Sequence, residues 1–170
     1  MNNNLTFRFA EKKDVPIILD FIYKIAEHQK LSEQVEATEE LLDEWIFEKK
    51  SAEVIFPILD KKPIGFGLFF HNFSTFVGKS GIWIEDAYLL PEYRGKGYGK
   101  ALFKKIAEIA SERNCGRIEW TCLNSNTSSK YFYDKLGAVP MNNWTNYRFS
   151  EEQIKDFSAE IGRASCRERV

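Results

Sequence analysis

The sequence predicts an α/β protein, because two kinds of periodicity alternate along the chain. Apolar residues recur every three or four positions in several segments, which is the spacing of an amphipathic helix. Between them lie short runs rich in β-branched and aromatic residues, which favour strands. A glycine-rich turn at residues 94–100 joins one such strand to a helix. The predicted order is strand, two helices, three strands, helix, strand, helix and a final strand pair.

The composition fits a single domain over residues 1–161. The 170-residue chain has 24 basic and 25 acidic side chains, and this balance gives no electrostatic footprint for nucleic acid. No apolar run approaches the length of a membrane span. The first residues lack the pattern of an export signal, so we expect a cytoplasmic protein with no nucleic-acid or membrane partner. Residues 162–170 carry no apolar stripe and are predicted to be a disordered tail or a residual cloning sequence.

The N-terminal part of the chain is predicted as a strand followed by two helices. Residues 5–10 alternate as a strand, and Asp14 is expected to cap a helix that runs to about Gln29. Thr38 is expected to cap the second helix. The predicted inward stripe of that helix is Leu41, Leu42, Trp45 and Ile46.

Two β-rich runs, residues 51–59 and 64–71, predict a hairpin whose turn is the Asp-Lys-Lys-Pro segment at residues 60–63. Pro57 has no N–H group to donate to a ladder, so the first run is predicted to be an edge strand or to carry a bulge. A third strand, residues 81–90, leads into the glycine-rich turn.

The C-terminal part is predicted as a strand, a short helix, a strand pair and a last helix. Residues 117–122 form a strand by composition, and residues 126–136 form a helix that Gly137 closes as its C′ residue. Residues 138–149 predict the final strand pair. Residues 151–159 are predicted to add the terminal helix.

The turn at residues 94–100 has the features of a phosphate-binding loop. Gly95, Gly97 and Gly99 remove the side chains that would keep a ligand from the backbone, and they permit positive φ angles. The turn opens a helix over residues 100–110, whose dipole and unpaired N–H groups favour an anion. The alternative is that these glycines only form a tight turn before a helix.

Two known phosphate motifs do not match this turn. A Walker loop requires Ser or Thr after Gly-Lys, whereas Ala101 follows Lys100. A dinucleotide fingerprint that starts at Gly95 has Lys100 in place of its third glycine, and one that starts at Gly97 has Leu102 there.

The pattern Arg-x-x-Gly-x-Gly, formed by Arg94, Gly97 and Gly99, resembles the coenzyme A pyrophosphate loop of the GCN5-related N-acetyltransferase (GNAT) superfamily. The predicted element order is similar to that of the same superfamily over nearly all of residues 5–150. This resemblance implies a mixed, mostly antiparallel central sheet flanked by helices on both faces. It also implies acetyl-CoA as cosubstrate.

Further segments resemble the diamine acetyltransferase branch of this superfamily, which contains the spermidine/spermine and thialysine enzymes. These segments are residues 33–35, 84–88, 93–99, 132–133 and 136–138, together with Asn126. The resemblance implies a homodimer. It further implies transfer of an acetyl group to a primary amine of a small molecule, by direct attack through a tetrahedral intermediate.

The resemblance places the cofactor along the strand end, the glycine-rich turn and the short helix. The implied acetyl-CoA contacts are Ala87, Tyr88, Leu89, Arg94, Gly95, Lys96, Gly97, Tyr98, Gly99, Lys100, Asn126, Ser129, Tyr133 and Lys135. In the family the oxyanion donor lies at a bulge of the strand before the loop, which would fall near residues 87–89. On spacing alone, Asn126 would be an N-cap and Tyr133 a core aromatic.

Glu85 and Tyr133 are the catalytic residues that the resemblance implies. An amine of pKa ~10.4 is almost wholly protonated at neutral pH, so a base must take its proton, and Glu85 is the candidate. Coenzyme A leaves as a thiolate, to which the phenol of Tyr133 can give a proton. The alternative is that Glu85 and Asp86 are only solvated carboxylates at a strand end.

The substrate contacts that the resemblance implies are His28, Gln29, Glu33, Glu85 and Glu119. The polyamine enzymes carry several extra acidic or aromatic groups along the amine tunnel. The corresponding positions here are His28, Gln29, Ser32, Ser74 and Thr145. A long polycation would meet fewer counter-charges, so we expect a smaller amine or an amino-acid-like substrate with a thialysine-like side-chain amine.

Two other functions stay open at this point, namely acetylation of protein amines and binding of coenzyme A without catalysis. A binding module would keep the loop and lose the acid and base, and both candidates are present here. No metal is expected, because His28 and His71 match no metal-ligand pattern. Cys115, Cys122 and Cys166 are odd in number and are expected to be reduced.

Overall fold

The computed structural model describes residues 4–164, with side chains for residues 4–159. The chain divides into two compact units, Met1–Lys130 and Tyr131–Val170, and each is described by itself. Residues 165–170, which include Cys166 and most of the predicted tail, lie outside the described residues. Between residues 4 and 164 no helix has the length and apolar character to cross a membrane.

The first unit is built on a six-stranded sheet with the order β1-β2-β4-β5-β6, in which the short β3 pairs with β2. The strands are β1 (Thr6–Phe9), β2 (Glu53–Leu59), β3 (Lys62–Pro63), β4 (Gly65–Ser74), β5 (Lys79–Leu89) and β6 (Ile118–Trp120). Each pair is antiparallel except the parallel pair of β5 and β6. The mixed, mostly antiparallel sheet and the hairpin after β2 are therefore confirmed.

Helices cover both faces of the sheet, as predicted. The helices of the described chain are α1 (Val15–Gln29), α2 (Glu39–Leu42), α3 (Tyr98–Glu112), α4 (Thr127–Leu136) and α5 (Glu151–Ala164), and those that cover the sheet of the first unit include α1 and α3. On one face Phe21 of α1 stacks on Phe66 of β4, with ring centroids 5.4 Å apart. On the other face Leu102 of α3 packs in one cluster with Ile84 of β5. The glycine-rich turn thus connects a central strand to the helix on the second face.

The start of α1 differs from its prediction. Asp14 precedes the helix, but its carboxylate makes no capping hydrogen bond to it. This buried carboxylate accepts two hydrogen bonds from the guanidinium of Arg8, at 2.6 and 2.8 Å, and one from the N–H of Glu11 at 2.8 Å. The hydrogen bond from Arg8 lowers the pKa of Asp14. The predicted cap is wrong because β1 supplies a charged donor, which binds a carboxylate more strongly than a backbone amide does.

The second helix begins at its predicted cap and then changes geometry. The side chain of Thr38 accepts a hydrogen bond from the N–H of Leu41 at 3.3 Å. After one α-helical turn the chain continues as the π-helical segment Asp43–Glu48. The wider turn changes which side chains share a face, so Ile46 is buried while Leu41 and Trp45 are 44% and 49% exposed. The predicted inward stripe is wrong for these two residues.

Pro57 lies inside the sheet, because β2 has β1 on one side and β4 on the other. Ile55 pairs with Gly67, and Ile58 pairs with Pro63. Between these two pairs the segment from β3 to β4 contains three residues, whereas β2 contains two. The ladder is therefore interrupted at Pro57, which has no N–H to donate. The prediction of an edge strand is wrong, and the extra residue lies between β3 and β4 rather than in β2.

The predicted strand pair at residues 138–149 is absent, since no strand follows β6 in the described residues. The apolar side chains of this segment are exposed. They are Val139, Met141, Trp144, Tyr147 and Phe149. The prediction is wrong because a suitable composition does not by itself supply the neighbouring strand that a ladder requires. The helices on either side, α4 and α5, are confirmed.

Candidate active site

The end of β5 contains a bulge whose extra residue is Glu85. Leu68 on β4 pairs with Asp86, and the next β4 residue, Phe69, pairs with Ile84. Glu85 therefore has no partner on β4, and a strand bends and twists more strongly at such a point. The implied bulge exists and lies just before residues 87–89, near which the resemblance placed it.

The bulge places two adjacent carboxylates on one face of the sheet. Ile84 and Ala87 belong to the cluster packed against α3. Trp83 therefore faces the opposite side, where its indole Nε1 donates a hydrogen bond to Glu85 at 3.1 Å. Asp86 precedes Ala87 and faces this same side. In a regular strand Glu85 and Asp86 would point to opposite faces.

The two carboxylates have different surroundings. Glu85 is exposed, whereas Asp86 is half-buried opposite the apolar Leu68. Burial first, and the charge of Glu85 second, raise the pKa of Asp86 to about 6. A carboxylate with this pKa is largely ionised at neutral pH and is a better proton acceptor than an ordinary one.

One edge of β5 is open where the strand approaches the glycine-rich turn. The parallel partner β6 pairs with β5 from Ile82 to Ile84 and ends at Trp120. Within the described residues no strand pairs with that edge of β5 over residues 85–89. Backbone groups on this edge are therefore available to a ligand, which suits the predicted contacts Ala87 and Leu89.

The glycine-rich turn leaves space for an anion at the N-terminus of α3. Gly95 and Gly97 have φ angles of 72° and 88°, and a Cβ built at either position would meet no heavy atom within 4 Å. Gly97 is the N-cap residue, and α3 begins at Tyr98. The first N–H groups of the helix have no partner within the helix, so they can bind a phosphate in this space. These residues fit the pyrophosphate of acetyl-CoA.

Gly99 differs from the other two glycines of the turn. It lies inside α3 and is not among the glycines with a positive φ angle in the described residues. The prediction that all three glycines serve for positive φ angles is therefore wrong for Gly99.

The side chains around the turn are mostly held by the protein itself. Arg94 donates from Nε to the carbonyl of Leu89 at 2.9 Å, and its guanidinium carbon lies 5.1 Å from the ring centroid of Tyr88. Lys96 Nζ lies 5.8 Å from the ring centroid of Tyr93. Arg94 thus ties the turn to the end of β5. Two further predicted contacts, Tyr88 and Tyr98, have buried side chains, and Lys100 is exposed.

Glu119 lies on the same face of the sheet as the two carboxylates of β5. It pairs with Trp83, and its carboxylate accepts hydrogen bonds from Asn72 Nδ2 at 2.9 Å and from Arg117 Nε at 2.7 Å. Its charge is therefore partly neutralised by Arg117. Trp83, with Glu85 and Glu119 beside it, lines an acidic face on which a cation can rest.

The other predicted substrate contacts lie elsewhere in the chain. His28 and Gln29 are exposed at the end of α1, and Glu33 is exposed in the short 3₁₀ segment Ser32–Gln34 that follows. In the described part of the chain, no hydrogen bond or ion pair joins them to Glu85. Their role in substrate binding stays a prediction.

Asn126 caps α4, as its position before the predicted helix suggested. Its Oδ1 accepts a hydrogen bond from the N–H of Ser129 at 3.1 Å. The thiol of Cys122 lies 3.9 Å from the carbonyl of Asn126, and burial raises the pKa of this thiol. The cap orients the start of α4, and the cofactor role of Asn126 and Ser129 stays a prediction.

In the second unit the two tyrosines of α4 have different environments. Tyr131 is 64% exposed, and Lys135 Nζ lies 4.3 Å from the centroid of its ring. Tyr133 is half-buried, with its ring centroid 5.5 Å from that of Phe132. Gly137 has a φ angle of 83° and ends the helix, as predicted. The two phenols thus differ in environment, and the catalytic role of Tyr133 stays a prediction.

Asp86 and Trp83 were not among the predicted site residues. Two adjacent carboxylates at the end of an apolar strand were the available signal for Asp86. That signal was insufficient because strict alternation puts one of them on the α3 face, and only the bulge brings both to the same side.

Comparisons with known proteins identify relatives over most of the chain. The model of the acetyltransferase (GNAT) family matches residues 19–138. Thialysine N-epsilon-acetyltransferase from Bos taurus is 32% identical over 165 residues, which cover 90% of this chain and 96% of that protein. L-ornithine N5-acetyltransferase NATA1 from Arabidopsis thaliana is 35% identical over 91 residues, which cover 54% of this chain and 40% of that protein.

A solved structure shares the fold. The integron cassette protein VCH_CASS6 from V. cholerae superposes with a TM-score of 0.76 at 24% identity, covering 91% of this chain and 98% of that one.

Proposed function

Because the chain belongs to the acetyltransferase (GNAT) family, we propose that it transfers the acetyl group of acetyl-CoA to a primary amine of a small molecule. The observation that carries this proposal is the bulge of β5, which turns Glu85 toward an acidic sheet face next to the anion space of Gly95 and Gly97. An amine cation can therefore bind at the bulge of β5, and a pyrophosphate can bind at the turn that follows the same end of this strand.

The cosubstrate would be held by the turn and the open edge of β5. Gly95, Gly97 and the first N–H groups of α3 would bind the pyrophosphate, with Arg94 and Lys96 adding positive charge. Backbone N–H groups on the open edge, within residues 87–89, would donate to the thioester carbonyl. Such donors stabilise the charge that develops on this oxygen in the tetrahedral intermediate.

Proton transfer from the amine would begin the reaction. Glu85 accepts the proton, directly or through water, and the freed lone pair attacks the thioester carbon. When the intermediate collapses, the C–S bond breaks and the sulfur takes a proton from the phenol of Tyr133. The attacking nitrogen then gives up its second proton, which passes through water to the phenolate and restores Tyr133. Both roles are proposals for this chain.

The acceptor would be a short amine with an amino-acid-like frame. Of the carboxylates on the acidic sheet face, Glu119 is already paired with Arg117, which leaves Glu85 and Asp86 for a cation. Two negative groups suit one or two positive charges better than the four of spermine. The names of the thialysine and ornithine acetyltransferases support a side-chain amine of this kind.

A panel of acceptors tests the proposal. Thialysine, ornithine, lysine, putrescine, spermidine, spermine and a lysine peptide would be offered with acetyl-CoA, and release of free thiol would be measured. We expect the amino-acid amines to have the highest kcat/KM, at least ten times that of spermine. Acetylation of the peptide with no turnover of small amines would overturn the proposal.

We also propose a homodimer located in the cytoplasm. The five exposed large apolar side chains within residues 138–149 support association, because exposed aromatic and apolar side chains are typical of an interface. Cys115 and Cys122 are free thiols, which suits a reducing compartment.

A further inference from the structure

We infer that Asp86 joins Glu85 in taking the proton of the amine, so that the base of this enzyme is a pair of carboxylates. The inference rests on the proposed acetylation of an amine. It is carried by the bulge, which brings the two side chains to one face beside Trp83.

The surroundings of Asp86 leave Glu85 as its charged partner. Leu68 pairs with Asp86 from β4 and is apolar. The α1 residues in the cluster that includes Leu68, such as Phe21 and Ile22, are also apolar. From the β6 side, Glu119 and Arg117 face the same side of the sheet and are bound to each other at 2.7 Å. Glu85 is the charged group whose field raises the pKa of Asp86, after the larger effect of burial.

The two carboxylates have different functions in binding the ammonium group and in accepting its proton. Glu85 is exposed and meets the ammonium group first, because an exposed charge attracts a cation at little desolvation cost. Asp86 is the stronger base, since its charged form is destabilised by burial. A proton that leaves the ammonium nitrogen is then shared by the pair as one O–H bond, and the nitrogen keeps the electron pair that forms the new C–N bond.

The pH dependence of kcat/KM tests this pair. In the wild-type enzyme we expect kcat/KM to fall as the pH drops below about 6, the pKa of Asp86. Asp86→Asn should lower kcat/KM at pH 7.4 about tenfold or more and abolish the fall near pH 6, because the group that titrates there is gone. Glu85→Gln should move the fall to lower pH, because it removes the like charge beside Asp86.

The double variant and a control complete the kinetic test. If the carboxylates act as a unit, Glu85→Gln with Asp86→Asn should lose far less than the product of the two single losses. Asp20→Asn removes an exposed carboxylate of α1 and should keep both the rate and the profile of the wild type. An Asp86→Asn enzyme that loses rate without any change in the pH profile would have a packing defect only, and the inference would be wrong. Full retention of rate and profile would overturn it as well.

A titration without substrate separates this inference from the proposed function. Carbon-13 spectra of labelled aspartate in the free protein should show the Asp86 carboxyl titrating near pH 6, and at lower pH in Glu85→Gln. Titration at an ordinary value, unaffected by Glu85→Gln, would refute the pair. If the enzyme acetylated a peptide amine and no small amine, the proposed function would be wrong. The pH dependence of kcat/KM would then be measured with the peptide as acceptor, and the same results would test the carboxylate pair.

Discussion

At the end of β5 the carboxyl of Asp86 is half-buried, with Glu85 beside it, and its pKa is raised to about 6. Aspartate in an unfolded chain has its pKa near 3.8. The folded protein therefore binds this proton more tightly than the unfolded chain does. Below pH 4, Asp86 does not lower the free energy of unfolding. Its contribution becomes unfavourable between pH 4 and pH 6, and above pH 6 it lowers the free energy of unfolding by its full amount.

Asp86→Asn should therefore stabilise the protein at alkaline pH. The pKa difference between the folded and unfolded chain corresponds to roughly 3 kcal/mol, and partial exposure reduces this, so we expect the free energy of unfolding at pH 8 to rise by about 1–2 kcal/mol. At pH 4 the gain should vanish. Urea unfolding of both proteins at the two pH values measures this. A variant that is less stable than wild type at pH 8 would contradict the raised pKa.

Tyr133 and Tyr131 provide a second test with matched residues on one helix. Tyr133→Phe removes only a hydroxyl, so packing should survive while kcat falls by about 10² and the affinity for acetyl-CoA changes only a few-fold. Tyr131→Phe, at an exposed position of the same helix, should stay near wild type. Steady-state kinetics and calorimetry with acetyl-CoA measure both. If the two variants behaved alike, Tyr133 would be a packing residue and water would supply the proton.

Among the elements, the glycine-rich turn is the one that depends most on its backbone. Gly97 has a φ angle of 88°, and the space above it is open. Gly97→Val should cost about 1–2 kcal/mol of stability through backbone strain and should also abolish binding of acetyl-CoA, because the side chain fills the anion space. Thermal unfolding measures the first effect, and titration calorimetry measures the second.

Gly78 offers the matched control for this substitution. It has a φ angle of 69° and open space around it, but it lies between β4 and β5 and outside the glycine-rich turn. Gly78→Val should lose similar stability and keep native affinity for acetyl-CoA. Native affinity in a folded Gly97→Val protein would remove the turn from the cofactor site.

The helices α1 and α3 and most strands were predictable because one face of each is buried, which imposes a period on the sequence. The end of α1 at Gln29 and the cap at Thr38 followed from local chemistry. The bulge at Glu85 did not, since the strand pattern is read from apolar residues and Glu85 and Asp86 are both polar. Asp14 was wrongly predicted as a cap because its partner, Arg8, comes from a strand whose position only the fold defines.

At the scale of the whole molecule, the chain combines a near-neutral net charge of -1 with an exposed apolar segment. Residues 138–149 have a strand-like composition but no strand partner within the described chain. The strand pair that the composition of this segment predicts is absent. The sequence cannot predict where the partner lies, because pairing depends on a neighbouring edge that is distant in sequence or belongs to another chain.

The last prediction is that this segment forms the interface of the proposed homodimer. Trp144 is 72% exposed at the centre of the segment, and large aromatic residues commonly dominate the energy of an interface. Light scattering should give the wild type twice the 19.8 kDa of one chain at micromolar concentration. Trp144→Glu should raise the dissociation constant about 30-fold or more, because a charge would be buried where an aromatic ring packs.

Phe76→Glu, at a 96% exposed position between β4 and β5, is the matched control and should leave the mass unchanged. A wild type that is monomeric at every concentration, or a dimer that Trp144→Glu does not weaken, would show that residues 138–149 are not the interface.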